Sequence, residues 1–470
     1  MVFASPLFLF LFLPLTLTAY FASPPRYRNA TLLLASAAFY AAGESNLWPL
    51  LACIVINWIA ADRIAGAVRP GERHLWLASA LALDLTILAV FKYAGFALEN
   101  MNALRQWQQL APAAWQAWAL PLGISFFTFH AISYVVDVHR GIAPADRGIA
   151  RFALYITLFP QLIAGPIVRW RDIAGQLACR TYTWSDGAYG ARRFVVGLGK
   201  KTLIANPLGG VADDVFALRA ETLSCPVAWL GLACYTLQIY FDFSGYSDMA
   251  IGLMRGFGLR IAENFNFPYI ARSVRDFWRR WHISLSGWFR DYVYIPLGGN
   301  RQQAWRVLLV LVLVFFLAGL WHGARWTFVL WGLWHGLFML TERTGLDRAL
   351  DRTGGLAHVY TLAVVAAGWV LFRCDTLGQA GHYFSALLSF SAGDGSEPLA
   401  RFLDPAIAAA LAAGIVGSTP WPAAIARRAA MAAPAGARAI SESSALLTLL
   451  VLCAACLAAG SYNPFIYFRF

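Results

Sequence analysis

Lysine is almost missing from this 470-residue sequence: Lys92, Lys200 and Lys201 are the only three, and charged residues of every kind make up 13%. A water-soluble domain carries about 25%. So few charges cannot solvate the surface of a chain this long, which excludes a soluble globular protein. Three sequence signatures of enzymes are also missing. There is no Gly-x-Ser-x-Gly elbow, no His-Glu-x-x-His helix and no phosphate-cradling glycine loop ending in Gly-Lys-Ser/Thr. The hydrolase, zinc-protease and nucleotide-triphosphatase readings therefore have no support. Cysteine is sparse and scattered, with seven in all. The Cys-x-x-Cys at 453–456 lies in an Ala/Leu-rich run and reads as two small packing residues, neither a redox pair nor a metal site. The net charge of +12 comes almost entirely from arginine. Nucleic-acid binding is a poor account of it in a chain so apolar.

What the sequence has in abundance is apolar length: 59% of residues are hydrophobic. Runs approaching the ~20 residues that cross a ~30 Å hydrocarbon core occur near 2–21, 30–43, 46–61, 75–97, 112–137, 152–168, 227–254, 305–320, 327–341, 358–372, 403–417 and 445–460. An all-α, polytopic membrane protein of ten to twelve helices is expected, because only helices satisfy their own backbone polar groups within lipid. Several runs are short enough to be tilted, broken or re-entrant. The first lacks a positive n-region and a small-residue cleavage site, and Arg26 and Arg28 follow it directly. An uncleaved span is expected, its N-terminus outside and those arginines in the cytoplasm. The loop 62–74, with Arg63, Arg69 and Arg73, falls on the same side by alternation. The chain reads as one integral-membrane domain, 1–470. Residues 1–110 form N-terminal helices, 111–345 hold nearly all the unusual polar residues, and 346–470 form an Ala-rich tail with loops at 391–401 and 418–444.

Between 255 and 304 no convincing span occurs. There Phe277, Trp281, Leu285, Trp288 and Tyr292 recur at spacings of three and four, and Arg275, Arg279, Arg280 and Arg290 share the stretch. This is the pattern of an amphipathic helix lying in the interface, aromatic face toward the bilayer and arginines toward phosphate. The arginines suit lipid headgroups or the phosphates of an anionic cosubstrate.

Ionisable groups at membrane depth are costly, about 2.5–3.5 kcal/mol each on insertion scales, and are candidate functional groups for that reason. They are Asp84, His130, Asp242, Asp248, His322 and His335, with His282 nearer the interface. Trp-His-Gly occurs twice, at 321–323 and 334–336. On one straight helix the two histidines would lie about 140° apart in azimuth and ~20 Å apart along the axis, too far to act on one atom. His322 ends an apolar run before Gly323, at a helix end or break, where it is either a catalyst or a hydrogen-bonded core residue. His335, between Gly332 and Gly336, reads as close helix packing. A neutral histidine can take a proton from a hydroxyl that attacks an activated acyl carbon. Asp242 and Asp248 in "QIYFDFSGYSDMAIGL" are each able to orient a histidine, bridge helices or bind an ion, and structural use is favoured. The prolines in "LFPQLIAGPIVRW" predict a kinked or broken span at 158–170.

In this order and spacing, "SFFTFHAISYVVDVHRG", "LFPQLIAGPIVRW", "YFDFSGYSDMAIGL", "ENFNFPYIARSVRDFWRRWHISLSGWFRDYVYIPLGGNR", "LAGLWHGARWTFVLWGLWHG" and the terminal "YNPFIYFRF" resemble the membrane-bound O-acyltransferase superfamily. The resemblance is to the bacterial branch that includes the alginate O-acetyltransferase membrane subunit. It implies a ring of helices around a thin central region, with a funnel or tunnel for the acyl group. It implies acetyl-CoA as a cytoplasmic donor and a hydroxyl of an exported polysaccharide such as alginate as final acceptor. It further implies periplasmic partner proteins that finish the transfer, and a place in the bacterial inner membrane. The family's catalytic histidine matches His322, its second implicated histidine matches His282, and His335 matches a position left structural. Arg275, Arg279 and Arg280 suit the coenzyme A phosphates. D-alanyl transfer to teichoic acid and peptidoglycan O-acetylation are the related alternatives. A proton-coupled transporter or flippase would be expected to show inverted repeats, and none is visible.

Overall fold

Most of the apolar sequence is helical in the computed structural model, which describes residues 1–114, 118–389, 393–432, 434–460, 462–463 and 466. Among the described residues there is no strand. Five helices are long and apolar enough to cross a membrane: Trp48–Gly66, Pro70–Trp107, Ala304–His322, Gly355–Arg373 and Gly436–Ala458. A sixth is added if Pro405–Gly417 and Trp421–Ala432, bent by 75°, form one broken span. The remaining apolar runs also fold as helix, including Arg28–Ala41, Ile149–Thr157, Cys225–Gly256 and Trp326–Thr341. The chain is a multi-pass membrane protein. It divides into two compact units, Met1–Ala191 with Ala250–Ala262, and Arg192–Met249 with Glu263–Phe470.

In the first unit, Ile124–His139 is buried on nearly every side, as expected of a helix apolar all round. Within the apolar run expected over 112–137, residues 118–123 are not helical and a helix starts at Ile124. Gly123 before it takes φ +74°, and a Cβ there would sit 2.5 Å from the carbonyl oxygen of Leu162. The break expected at 158–170 is present: helix ends at Thr157, Phe159–Leu162 forms a single turn, and the chain through Pro166 is not helical. Asp84 is buried and accepts a hydrogen bond from Asn57 Nδ2 at 2.8 Å. His130 is buried against the ring of Tyr155.

Two expectations need correction in the second unit. The amphipathic helix over 272–292 is instead two short helices, Val274–Arg280 and Ile283–Phe289. Phe277, Trp281, Leu285 and Trp288 are buried in the protein core, so the aromatic face meets protein and not bilayer. The segment 418–444, read as a loop, is mostly helical: Trp421–Ala432, and the start of Ala435–Ala458. Alanine, the strongest helix former, outweighs the prolines. Pro434 is the N-cap of the second helix, outside the turns it would disrupt.

Ala304–His322 and Trp326–Thr341 form a hairpin whose close approach depends on glycine. A Cβ on Gly332 would lie 2.2 Å from the carbonyl oxygen of Phe315, and one on Gly319 would lie 2.4 Å from that of Phe328. Backbone cannot yield as a flexible side chain can, so Gly332→Ala is expected to destabilise the protein by about 1–3 kcal/mol. Less protein in the membrane and a lower midpoint of thermal aggregation in detergent should result. An unchanged midpoint would mean that the helices separate freely.

Candidate active site

His322 is the last residue of Ala304–His322. Gly323 is extended and leads straight back into the next helix; a Cβ on it would lie 2.3 Å from the ring of Phe328. The turn therefore holds the imidazole at a helix end, 5% exposed. Aromatic rings surround it: Trp321, Trp331 and Phe372 have centroids 4.9, 5.0 and 5.1 Å away.

His282 lies 6.4 Å from His322, centroid to centroid, and is fully buried. It is the N-cap of Ile283–Phe289 with φ 44° and ψ 53°, a left-handed conformation uncommon for a residue with a Cβ. The preceding helix has a firm start. Ser273 Oγ accepts from the N–H of Asp276, and the buried Glu342 carboxylate accepts from those of Val274 at 2.6 Å and Arg275 at 2.9 Å. What breaks the chain at 281–282 is Asn264. Its backbone carbonyl accepts from the N–H of Ile283, and its side-chain Oδ1 accepts from the N–H of Ser284 at 3.1 Å and from the Ser284 hydroxyl at 2.9 Å. Its Nδ2 donates to Ser247 Oγ at 3.2 Å. Since a backbone N–H can only donate, the oxygen of Asn264 must be the atom on that side. His282 Nδ1, 3.3 Å from the same oxygen, must then carry its proton. This leaves Nε2 of a neutral ring unprotonated. That nitrogen is buried and has no hydrogen-bond partner among the described residues.

A cavity of about 10 Å³ adjoins His322, with Phe243, Trp331, Trp369, Phe372 and Ile466 among its walls. An imidazole held there, beside a second histidine and shielded from bulk water by rings, can exchange a proton with a reacting hydroxyl or thiol.

The other residues singled out in the sequence are placed differently. His335 is buried inside its helix against Phe277, Trp278 and Trp331, with centroids at 6.3, 5.2 and 5.2 Å. Neither of its nitrogens has a hydrogen-bond partner among the described residues, so it packs as an aromatic ring. Asp242 pairs with Lys201 at 2.8 Å. Asp248 lies between Arg193 and Lys200, 2.7 Å from each. Both carboxylates thus hold cations, and neither is paired with a histidine among the described residues. Arg275, Arg279 and Arg280 are carried to the threshold of His282 by the helix that ends at residue 280. Arg275 is engaged with Asp347 at 2.8 Å, and its guanidinium holds that carboxyl below the ordinary range. Arg280 pairs with Asp276 at 3.0 Å. Arg279 is exposed and makes no ion pair among the described residues. Cys453 is buried, with the hydroxyl of Thr202 directed at its sulfur at 2.9 Å.

Asn264, Phe372 and Ile466 went unnoticed in the sequence as parts of the site. Asn264 offered a weak signal, a polar residue set among aromatics before Pro268. Ile466 lies in the terminal motif 462–470, which marks the segment but not this side chain, and Phe372 offers no signal, being an apolar residue in apolar surroundings. Of the terminal motif, only Tyr462, Asn463 and Ile466 are among the described residues.

Residues 143–351 match the model of the membrane-bound O-acyltransferase family. The probable alginate O-acetylase AlgI of Azotobacter vinelandii is 45% identical over 393 residues, 83% of this chain and 78% of its own length. The peptidoglycan O-acetyltransferase of Helicobacter pylori is 37% identical over 417 residues, 81% of this chain and 78% of its own length. The teichoic acid D-alanyltransferase of Bacillus subtilis is 31% identical over 215 residues, 43% of this chain and 53% of its own length.

Proposed function

This chain belongs to the membrane-bound O-acyltransferase family, and on that premise we propose that it is an O-acetyltransferase of the bacterial inner membrane with His322 as its catalytic base. The acetyl group comes from acetyl-CoA on the cytoplasmic side. It is passed, through periplasmic partner proteins, to hydroxyls of an exported polysaccharide such as alginate. The observation that carries this reading is the pairing of two buried histidines, 6.4 Å apart, at the end of an apolar span.

In the transfer step the neutral imidazole of His322 removes the proton from an attacking hydroxyl as its oxygen bonds to the thioester carbonyl carbon. The carbon–sulfur bond breaks, and the imidazolium returns the proton to the departing sulfur. The products are an acetyl ester and the free thiol of coenzyme A. His322 stands at the C-terminal end of Ala304–His322, where the helix dipole favours a developing cation by about 0.3–1 kcal/mol. The aromatic walls keep water from competing for the acyl group. His282, with its proton fixed on Nδ1 by Asn264, keeps Nε2 as a second acceptor on a ring 6.4 Å from that of His322. Arg279, free of ion pairs among the described residues, is the arginine best able to meet a coenzyme A phosphate. Arg275 and Arg280 would first have to leave their carboxylates.

The test is release of free thiol by the purified protein supplied with acetyl-CoA, an acceptor and periplasmic partners. Wild type should release thiol and acetylate the acceptor. Arg279→Ala should raise KM for acetyl-CoA about 10-fold, as expected for one charge-assisted hydrogen bond of about 1.5 kcal/mol, with kcat little changed. Consumption of a D-alanyl carrier-protein thioester in place of acetyl-CoA would overturn the donor assignment.

A further inference from the structure

The cavity beside His322 is nearly full, and one of the groups filling it comes from far away in the sequence. About 10 Å³ remains, roughly the space of one water molecule. Trp331, Trp369 and Phe372, which supply much of the wall, are locked by one another, with centroids 5.0 to 6.2 Å apart. Ile466 differs from them. It belongs to the final residues of the chain, yet it is 4% exposed and lies within the hydrophobic core.

Its position is fixed by the backbone. The N–H of Ile466 donates to Asp242 Oδ2 at 2.9 Å, and the other oxygen of that carboxylate pairs with Lys201 at 2.8 Å. Both charged side chains are buried. Just upstream, Asn206 Nδ2 donates to Asn463 Oδ1 at 3.1 Å, and the hydroxyl of Tyr462 donates to Asp213. Burying an ion pair costs more than is needed to dock an apolar side chain. What the pair achieves here is to set the place of one backbone amide, and with it the place of the Ile466 side chain at the cavity wall.

We propose that Ile466 is a specificity-determining residue that restricts transfer to the acetyl group, by occupying the space beside His322 that a longer acyl chain would require. The inference rests on the reading of the protein as an acetyl-CoA-dependent transferase. About 10 Å³ is less than an acetyl group itself needs, so the walls must already yield to admit it, and each further methylene has to displace a ring or Ile466 more. Because the anchor is a backbone N–H, shortening the side chain leaves the anchor in place.

The experiment compares thiol release from acetyl-, propionyl- and butyryl-CoA by the wild type, Ile466→Val and Ile466→Ala, all as full-length protein with the same acceptor and partners. One methylene in an apolar pocket discriminates by about 10–200-fold. Ile466→Ala should therefore raise the ratio of kcat/KM for propionyl over acetyl by at least about 10-fold, with Ile466→Val between it and wild type. Wild type that uses no acetyl-CoA would defeat the underlying reading and not the filter. Wild type that turns over acetyl-CoA, with the propionyl-to-acetyl ratio the same in all three proteins, would overturn the filter. If Ile466→Ala loses all turnover, Ile466→Val, which removes one methyl, decides the matter by the same ratio.

Discussion

Replacing His322 by alanine should abolish O-acetylation of the exported polymer in cells that lack the native protein, with the variant present in the membrane at the wild-type level. Loss of a general base costs about 10²–10⁴-fold in rate, enough to bring the acetyl content of secreted polymer below detection. The comparison that gives this result its meaning is His335→Leu. Both histidines follow a tryptophan and precede a glycine, and both are buried. His322 ends its helix beside His282 and a cavity, whereas His335 sits mid-helix among Phe277, Trp278 and Trp331. Leucine at 335 keeps the side chain apolar and of similar bulk, so acetylation should survive. A His322→Ala strain that still acetylates its polymer would remove the catalytic assignment. A His335→Leu strain that folds but does not acetylate would show that the second histidine does more than pack.

The second large effect is expected at Asn264, a residue with no acid–base chemistry of its own. Asn264→Ala removes the acceptor shared by His282 Nδ1, the N–H of Ser284 and the hydroxyl of Ser284, and the donor to Ser247. Each buried donor left without a partner costs about 1–3 kcal/mol. The left-handed conformation of His282, itself a strain of about 1–3 kcal/mol, loses the side-chain contacts that hold it and keeps only the bond from the N–H of Ile283 to the backbone carbonyl of residue 264. A displacement of about 1 Å at a catalytic group can cost 10²-fold. Asn264→Ala should thus lower kcat about 100-fold while KM for acetyl-CoA changes little, since Arg279 is untouched. A matching fall with His282→Ala, and no further fall in the double variant, would place both residues in one unit. Full activity in Asn264→Ala would mean that the chain break at 281–282 does not depend on it.

Much of this protein is legible residue by residue. Apolar runs of spanning length, interrupted by Pro160, Pro166 and Gly323, predict helices and most of their breaks, because burial in lipid and the chemistry of proline and glycine are local matters. His322 was visible for the same reason: a titratable residue at the end of an apolar run stands out against its neighbours. The packing role of His335 followed from the glycines near it.

The stretch 272–292 reads as one amphipathic helix because its period is unbroken and it contains no proline. Its division at His282 depends on hydrogen bonds that Asn264 accepts, a residue eighteen positions earlier in the chain that carries no helical signal. Likewise Arg275 and Arg280 read as free phosphate ligands until Asp347 and Asp276 are found beside them. The arginines are legible from the sequence, and their pairing is not.

By itself the sequence determined that this is a helical membrane protein with ionisable side chains at depth, and it singles out His322 as the candidate for test. These properties follow from composition, period and the cost of burying charge, all of which can be read along the chain. Only the tertiary structure decided that His282 stands beside His322, that Asn264 sets its proton, and that Ile466 closes the cavity. Those are relations between side chains distant in sequence, and they arise when packing and hydrogen bonding select one arrangement from the many that the same pattern allows.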